Sequence, residues 1–182
     1  MSDITLRTLE PDEWQLLRKM RLRAVTMHPD LFYDSATGAS MYDRSHWQRL
    51  LTGEGNKFWG LFDDDKCVGL TGIVTYAADK SGQTAMIGYS FIEPLYRGKG
   101  FGDLFYRTRI EHALRYQRWK KLITDHRVGN EPSRRAIMKH GFVFLEEAMI
   151  DWPDGSRDLE YRYELDLERL RFGNKRIGFS AR

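Results

Sequence analysis

The sequence predicts a mixed α/β fold of the α+β kind. It has one central, mostly antiparallel sheet of about seven strands, flanked by about four helices. Three observations carry this. Residues 57–92 hold three apolar runs separated by short polar turns, as an antiparallel meander does. Segments with helical spacing stand on both sides of those strands. The length, 182 residues, suits a single domain, which at this size buries roughly 70% of its unfolded surface.

Ile4 to Leu9 alternates with period two and reads as the first strand. Glu10-Pro11-Asp12 then opens a helix to about Val25, with Pro early in the first turn and Trp14, Leu17, Met20 and Arg21 at helical spacing. His28-Pro29-Asp30 ends it. Residues 31–42 read as irregular, and a short helix follows from about Asp43 to Leu51. Phe58–Phe62, Cys67–Tyr76 and Thr84–Ile92 are the meander, with turns at Asp63–Lys66 and Asp79–Gly82. The next helix, Gly102 to about Gln117, spaces Tyr106, Ile110, Ala113 and Leu114 along one face. Lys121–Val128 is a strand, and Glu131–His140 is a helix that Gly141 can cap in the left-handed region. Phe142–Ile150 and Leu159–Leu165 close the order as two strands around Asp154-Gly155.

Composition narrows the class. Hydrophobic residues at 41% and aromatics at 13% are too many for a disordered chain. Mean hydropathy is −0.58, and no apolar run reaches the ~18 residues of a membrane helix. The first residues show no basic-then-apolar leader. A single cysteine, Cys67, allows neither an internal disulfide nor a zinc cluster, so a reduced, cytoplasmic setting is expected. Three consecutive aspartates, Asp63–Asp65, lack the glycine and glutamate of a calcium loop and read as a hairpin turn. The net charge of +3 does not suggest a nucleic-acid partner. Basic residues nevertheless cluster at Arg107–Lys121 and at Arg171, Lys175, Arg176 and Arg182. A solvated helix face and a frayed tail account for both groups; attraction of an anionic ligand is the sharper alternative.

The most informative stretch is Ile92-Glu93-Pro94-Leu95-Tyr96-Arg97-Gly98-Lys99-Gly100-Phe101-Gly102, set between a strand and a helix. Glycines there let backbone N–H groups and a helix N-terminus approach a phosphate. A dinucleotide fingerprint begun at Gly98 fails at Asp103, and a phosphate loop of Walker type fails because Gly100 follows Lys99. Arg97-x-x-Gly100-x-Gly102 instead resembles the acyl-CoA loop of the GNAT superfamily of N-acetyltransferases. Asn130-Glu131-Pro132-Ser133 and Lys139-His140-Gly141-Phe142 resemble that family's second motif. The resemblance spans residues 4–167 in element order and is closest in motif to the branch that acetylates N-termini of ribosomal proteins.

That resemblance implies acetyl-CoA as cosubstrate and no metal. The amides of Arg97, Gly98, Lys99, Gly100, Phe101 and Gly102 would bind the pyrophosphate. Backbone groups of Ile92 and Glu93 would hold pantetheine, where the fourth and fifth strands splay. Asn130 would bond pantetheine or cap its helix, and Ser133 would reach the sulfur or serve in the helix's first turn. The family's usual tyrosine acid falls on Ile137, and a glutamate base found in histone-type members falls on Met86. Asp125, at a position where some N-terminal acetyltransferases carry a base, remains the candidate proton acceptor, with a plain strand-end aspartate as the alternative. Tyr89 and His126 stand in reserve. Phe32, Tyr33, Asp34, Tyr42, Trp47, Asp151 and Trp152 would form the acceptor walls, where aromatics and acids suit a cationic amine.

The expected function is acetyl transfer to a primary amine of a small molecule or peptide N-terminus, by direct attack in a ternary complex. A catalytically degenerate acyl-CoA-binding or sensor domain is the alternative, motivated by Ile137 and Met86. Residues 1–168 would form the acetyltransferase domain and 169–182 a basic tail. Acetyl-CoA and an amine are the expected partners; a homodimer is compatible, and neither membrane nor nucleic acid is expected.

Overall fold

The computed structural model describes residues 3–173. Lys175, Arg176 and Arg182, read as part of a basic tail, lie outside those residues. Strands β1 (Ile4–Thr8), β2 (Lys57–Asp63), β3 (Lys66–Thr75), β4 (Thr84–Ile92), β5 (Lys121–Arg127), β6 (Val143–Asp151) and β7 (Arg157–Asp166) form one sheet in the order β1-β2-β3-β4-β5-β7-β6. Every neighbouring pair is antiparallel except β4–β5. The meander is therefore present, and the crossover from β4 to β5 passes through a helix, as a parallel pair requires.

Six helices are described where about four are expected: α1 (Trp14–Met27), α2 (Ala36–Met41), α3 (Arg44–Thr52), α4 (Phe101–Arg115), α5 (Glu131–Lys139) and α6 (Leu167–Gly173). Both additions are short. α2 lies in the segment read as irregular; its Ala-Thr-Gly-Ala-Ser-Met sequence has no apolar period, but Ser35 caps it by accepting from the Gly38 N–H. α6 docks through Leu167, which is fully buried.

The two faces of the sheet bury separate clusters. α1 and α3 bring Leu17, Met20 and Trp47 onto Phe58, Phe62, Leu70 and Phe91. On the opposite face Ala113 of α4, Ile137 of α5 and Leu167 meet Ile73, Ala85, Ile87, Leu122 and Leu165. Along β2 and β3 alternation sends neighbouring side chains, such as Phe58 and Trp59 or Ile73 and Val74, to opposite clusters, so a slip in register would misplace both.

Arg171 corrects the frayed-tail reading. From α6 its guanidinium donates to the carbonyls of Ala113 (2.7 Å), Leu114 (3.1 Å), Tyr116 (3.1 Å) and Trp119 (2.7 Å). Ala113 and Leu114 are among the carbonyls that the end of α4 leaves without a helical partner, Tyr116 and Trp119 belong to the turn beyond it, and a cation there also suits the helix dipole.

Candidate active site

β4 and β5 pair only at Thr84–Lys121, Ala85–Leu122 and Met86–Ile123. One further link, from Thr124 Oγ1 to Ile87 O at 3.2 Å, precedes their divergence. β4 bends there because Gly88 faces Gly72 while Phe91 faces Leu70, which leaves one extra residue in β4. Tyr89 takes up the bulge in the left-handed region at φ 56°, a costly conformation for a residue with a side chain. The rim of β4 beyond the bulge is thus free of β5 and opens a cleft between the two strands.

The glycine loop stands at the end of that rim. Gly100 caps α4 in the left-handed region, with no side chain satisfying the helix's first N–H groups. Apart from chain neighbours and nearby helix backbone, no described residue lies within 4 Å of where a Cβ would sit on Gly98, Gly100 or Gly102. An uncapped helix N-terminus behind three unobstructed glycines is a cradle suited to a pyrophosphate. Tyr96, anchored by its hydroxyl to Asp63, carries Lys99 over its ring at 5.3 Å. Arg97 turns back instead: its Nε donates to Ile92 O (2.8 Å) and its Nη2 meets His28 Nε2 (2.8 Å). The Glu93 backbone differs from expectation. Its N–H is committed to Val68 O at 2.9 Å and its carbonyl accepts from the Tyr96 N–H at 2.9 Å, so both backbone groups are already engaged. The Glu93 carboxylate is held by Arg23 at 2.7 and 3.1 Å, which lowers its pKa.

Asn130 Oδ1 accepts from the Ser133 N–H at 3.2 Å, which makes it the cap of α5. Gly129, at φ 83°, again has open space beside it. Ser133 is half-buried on the first turn of α5, while Ile137 is buried in the core a turn later.

On the α1 side of the sheet, β5 and β7 bring together groups that lie far apart in sequence. Arg162 Nη2 reaches Asp125 Oδ2 (3.5 Å) and Glu160 Oε2 (3.2 Å), and its Nη1 reaches Glu146 Oε1 (3.1 Å). Burial raises the pKa of Asp125. Burial, then the nearby Asp125 charge, pushes Glu160 up to about 6. Asp125 is one residue past Thr124, whose hydroxyl makes the last link to β4, so this pair borders the mouth of the cleft. Glu160 and Arg162 were missed in the sequence. Their period-two spacing was visible, but not their pairing with Asp125, which depends on β7 lying beside β5.

The reserves are occupied. His126 is buried, with its ring nitrogens on Arg127 O (2.7 Å) and Tyr163 Oη (3.2 Å). Tyr89 packs edge-on against Phe58. Of the expected acceptor walls, Trp47 is a core residue at 1% exposure, drawn inward with α3. Tyr42 stacks on His46, and Asp151 lies exposed beside Arg157. Tyr33 and Trp152 meet edge to face, and Arg21 joins Asp34 (3.5 Å) while lying over Phe32 and Tyr89. Arg127 stacks on Trp152 and bonds Asp154, Ser156 and Asp30 O, tying the β6–β7 turn to the loop after α1.

A family model described as an acetyltransferase (GNAT) domain matches residues 3–143. The chain belongs to the GNAT acetyltransferase family. No curated protein matches this GNAT chain significantly in sequence. Solved structures share its fold. A GNAT-family acetyltransferase from Streptococcus pneumoniae superposes with TM-score 0.77 at 17% identity, covering 90% of this chain and 99% of that one. The Salmonella typhimurium protein yncA, solved with acetyl-CoA, gives 0.74 at 15% identity, covering 90% and 94%. A spermidine N-acetyltransferase from Vibrio cholerae, solved with CoA and spermine, gives 0.69 at 16% identity, covering 91% and 96%. The ribosomal-protein branch is one of several that share this GNAT fold.

Proposed function

We propose that residues 1–168 form an acetyl-CoA-dependent N-acetyltransferase acting on a primary amine of a small molecule or peptide N-terminus. The observation that carries this is the open glycine cradle of Gly98, Gly100 and Gly102 at the uncapped start of α4, beside the cleft between β4 and β5. When bound there, acetyl-CoA supplies an activated acetyl thioester. The loop amides from Gly98 onward hold the pyrophosphate, with Lys99 adding charge, because the Arg97 N–H is taken by Pro94 O; the β4 rim leading to Ile92 guides the pantetheine arm. Asn130 shapes the start of α5, and Ser133 lies on the first turn behind it.

An amine attacks only as the free base, and an alkylammonium has a pKa of about 10, so the site must accept a proton. Asp125 is the proposed acceptor, with Glu160 as its coupled partner and Arg162 bridging the two. Tyr33 offers aromatic surface suited to a cationic amine, whereas Asp34 and Asp125 are already paired with Arg21 and Arg162. The spermine bound in the Vibrio cholerae structure is an amine of that chemical class.

The test is release of free CoA from acetyl-CoA over a panel of polyamines, amino acids and peptides with free N-termini. Turnover with at least one primary amine is expected. Tight CoA binding with no turnover on any of them would contradict the reading.

A further inference from the structure

Arg109 belongs to the basic group read as a solvated helix face, yet it is 2% exposed. It lies on the inner side of α4, three residues from Tyr106 and four from Phe105, and stacks over the Tyr106 ring at 4.6 Å. Its Nε donates to Phe105 O at 3.1 Å within the helix. Its Nη1 leaves the helix for the β4 bulge, reaching Ser90 Oγ at 2.9 Å and Gly88 O at 3.4 Å. Ser90 Oγ in turn meets Thr71 Oγ1 at 3.1 Å, so the bulge is stitched to β3 as well. Arg109 Nη2 finds no hydrogen-bond partner among the described residues.

Burial of a guanidinium among neutral acceptors alone is costly, and a similar-sized apolar residue would pack with less loss. Desolvation lowers its pKa to about 10, which still leaves it charged near neutrality. Among the described residues, no carboxylate pairs with it. The cation therefore calls for a role beyond packing. Ser90, its acceptor, is solvent-exposed on the free rim of β4, so the charge sits directly behind the open cleft.

We infer that Arg109 is a positioning residue for acyl transfer: through Gly88 O and Ser90 Oγ it fixes the β4 bulge and sets a positive charge behind the rim. This rests on the acetyl-CoA reading above. In that reading negative charge grows on the acyl oxygen and the departing sulfur within the cleft, where a fixed nearby cation favours it. The bulge also sets how far β4 parts from β5.

Arg109→Met, Arg109→Lys and Ser90→Ala in the full chain test this, using steady-state kinetics, CoA titration and backbone hydrogen exchange. Arg109→Met is expected to lower kcat by about 30-fold or more with KM for acetyl-CoA changed by less than about threefold. Arg109→Lys, which keeps the charge and an N–H donor group, is expected to recover most of that loss. Exchange at residues 88–91 is expected to quicken by about tenfold in Arg109→Met while β2 is unaffected. If Arg109→Met does not fold, Ser90→Ala carries the test, with kcat lowered by about three- to tenfold and the same local exchange. Wild-type kcat in a folded Arg109→Met, or exchange at 88–91 unchanged in both Arg109→Met and Ser90→Ala, would overturn the inference. A wild-type chain that releases no CoA would instead defeat the acetyltransferase reading, and the exchange measurement would still decide the clamp.

Discussion

Asp125 and Glu160 share Arg162 Nη2, at 3.5 and 3.2 Å, so neither titrates without the other. Both carboxyls are raised by burial, Glu160 to about 6. A carboxyl accepts a proton only when ionised, so turnover should rise with pH through an apparent pKa above the ordinary aspartate range. Glu160→Gln removes a like charge beside Asp125, lowering the Asp125 pKa and moving that acidic limb to lower pH. Asp125→Asn should cut kcat by about 100-fold or more, the usual worth of a positioned proton acceptor. Measured pH–rate profiles for the two variants check both outcomes. A limb unmoved by either would remove the pair from the mechanism. Asp125 itself could be picked out in the sequence because it precedes a recognisable motif. Glu160, Arg162 and Arg109 could not, since their significance comes from cross-sheet and helix-to-strand neighbours. Arg109 left one trace: it falls on the same helical face as Tyr106, Ile110 and Ala113.

α4 joins the site at its first turn to the core at its last, and Arg171 secures the far end with four hydrogen bonds to carbonyls. Arg171→Ala should destabilise the fold by about 2 kcal/mol, because buried acceptors lose a charged donor. That corresponds to a melting temperature lower by roughly 4–8 °C in a chain of this size. Arg169→Ala, on the exposed side of the same helix, should leave it unchanged. Thermal denaturation of the two variants distinguishes a cap from a dangling tail. The elements with clear periods, the meander and α1, α4 and α5, were legible in the sequence. α2 and α6 were not, since six or seven residues give too little period to read. They are held by Ser35 and by buried Leu167 rather than by a patterned face.

Across the whole molecule, the proposed function depends on one break in an otherwise continuous sheet. Six strand pairings hold it together, and the β4–β5 pair ends after three residues. The β4 bulge, Arg109 behind it and the uncapped start of α4 all lie along that break. Charge works locally at this scale: the net +3 says little, while a helix N-terminus and Lys99 face one loop. The glycine spacing was readable because it is local in sequence. The depth of the cleft was not, because it follows from Tyr89 adopting a conformation that no sequence pattern announces. The central claim is that this loop binds acetyl-CoA, and Gly102→Glu tests it most directly. Gly102 is helical, with no described residue beyond chain neighbours and nearby helix backbone within 4 Å of a new Cβ, so the substitution should leave stability unchanged or raise it by up to ~1 kcal/mol. Calorimetric titration with CoA is expected to show binding to the wild-type chain and a loss of about 100-fold or more in Gly102→Glu, whose carboxylate would occupy the phosphate position. Equal CoA affinity in a folded Gly102→Glu would contradict the account.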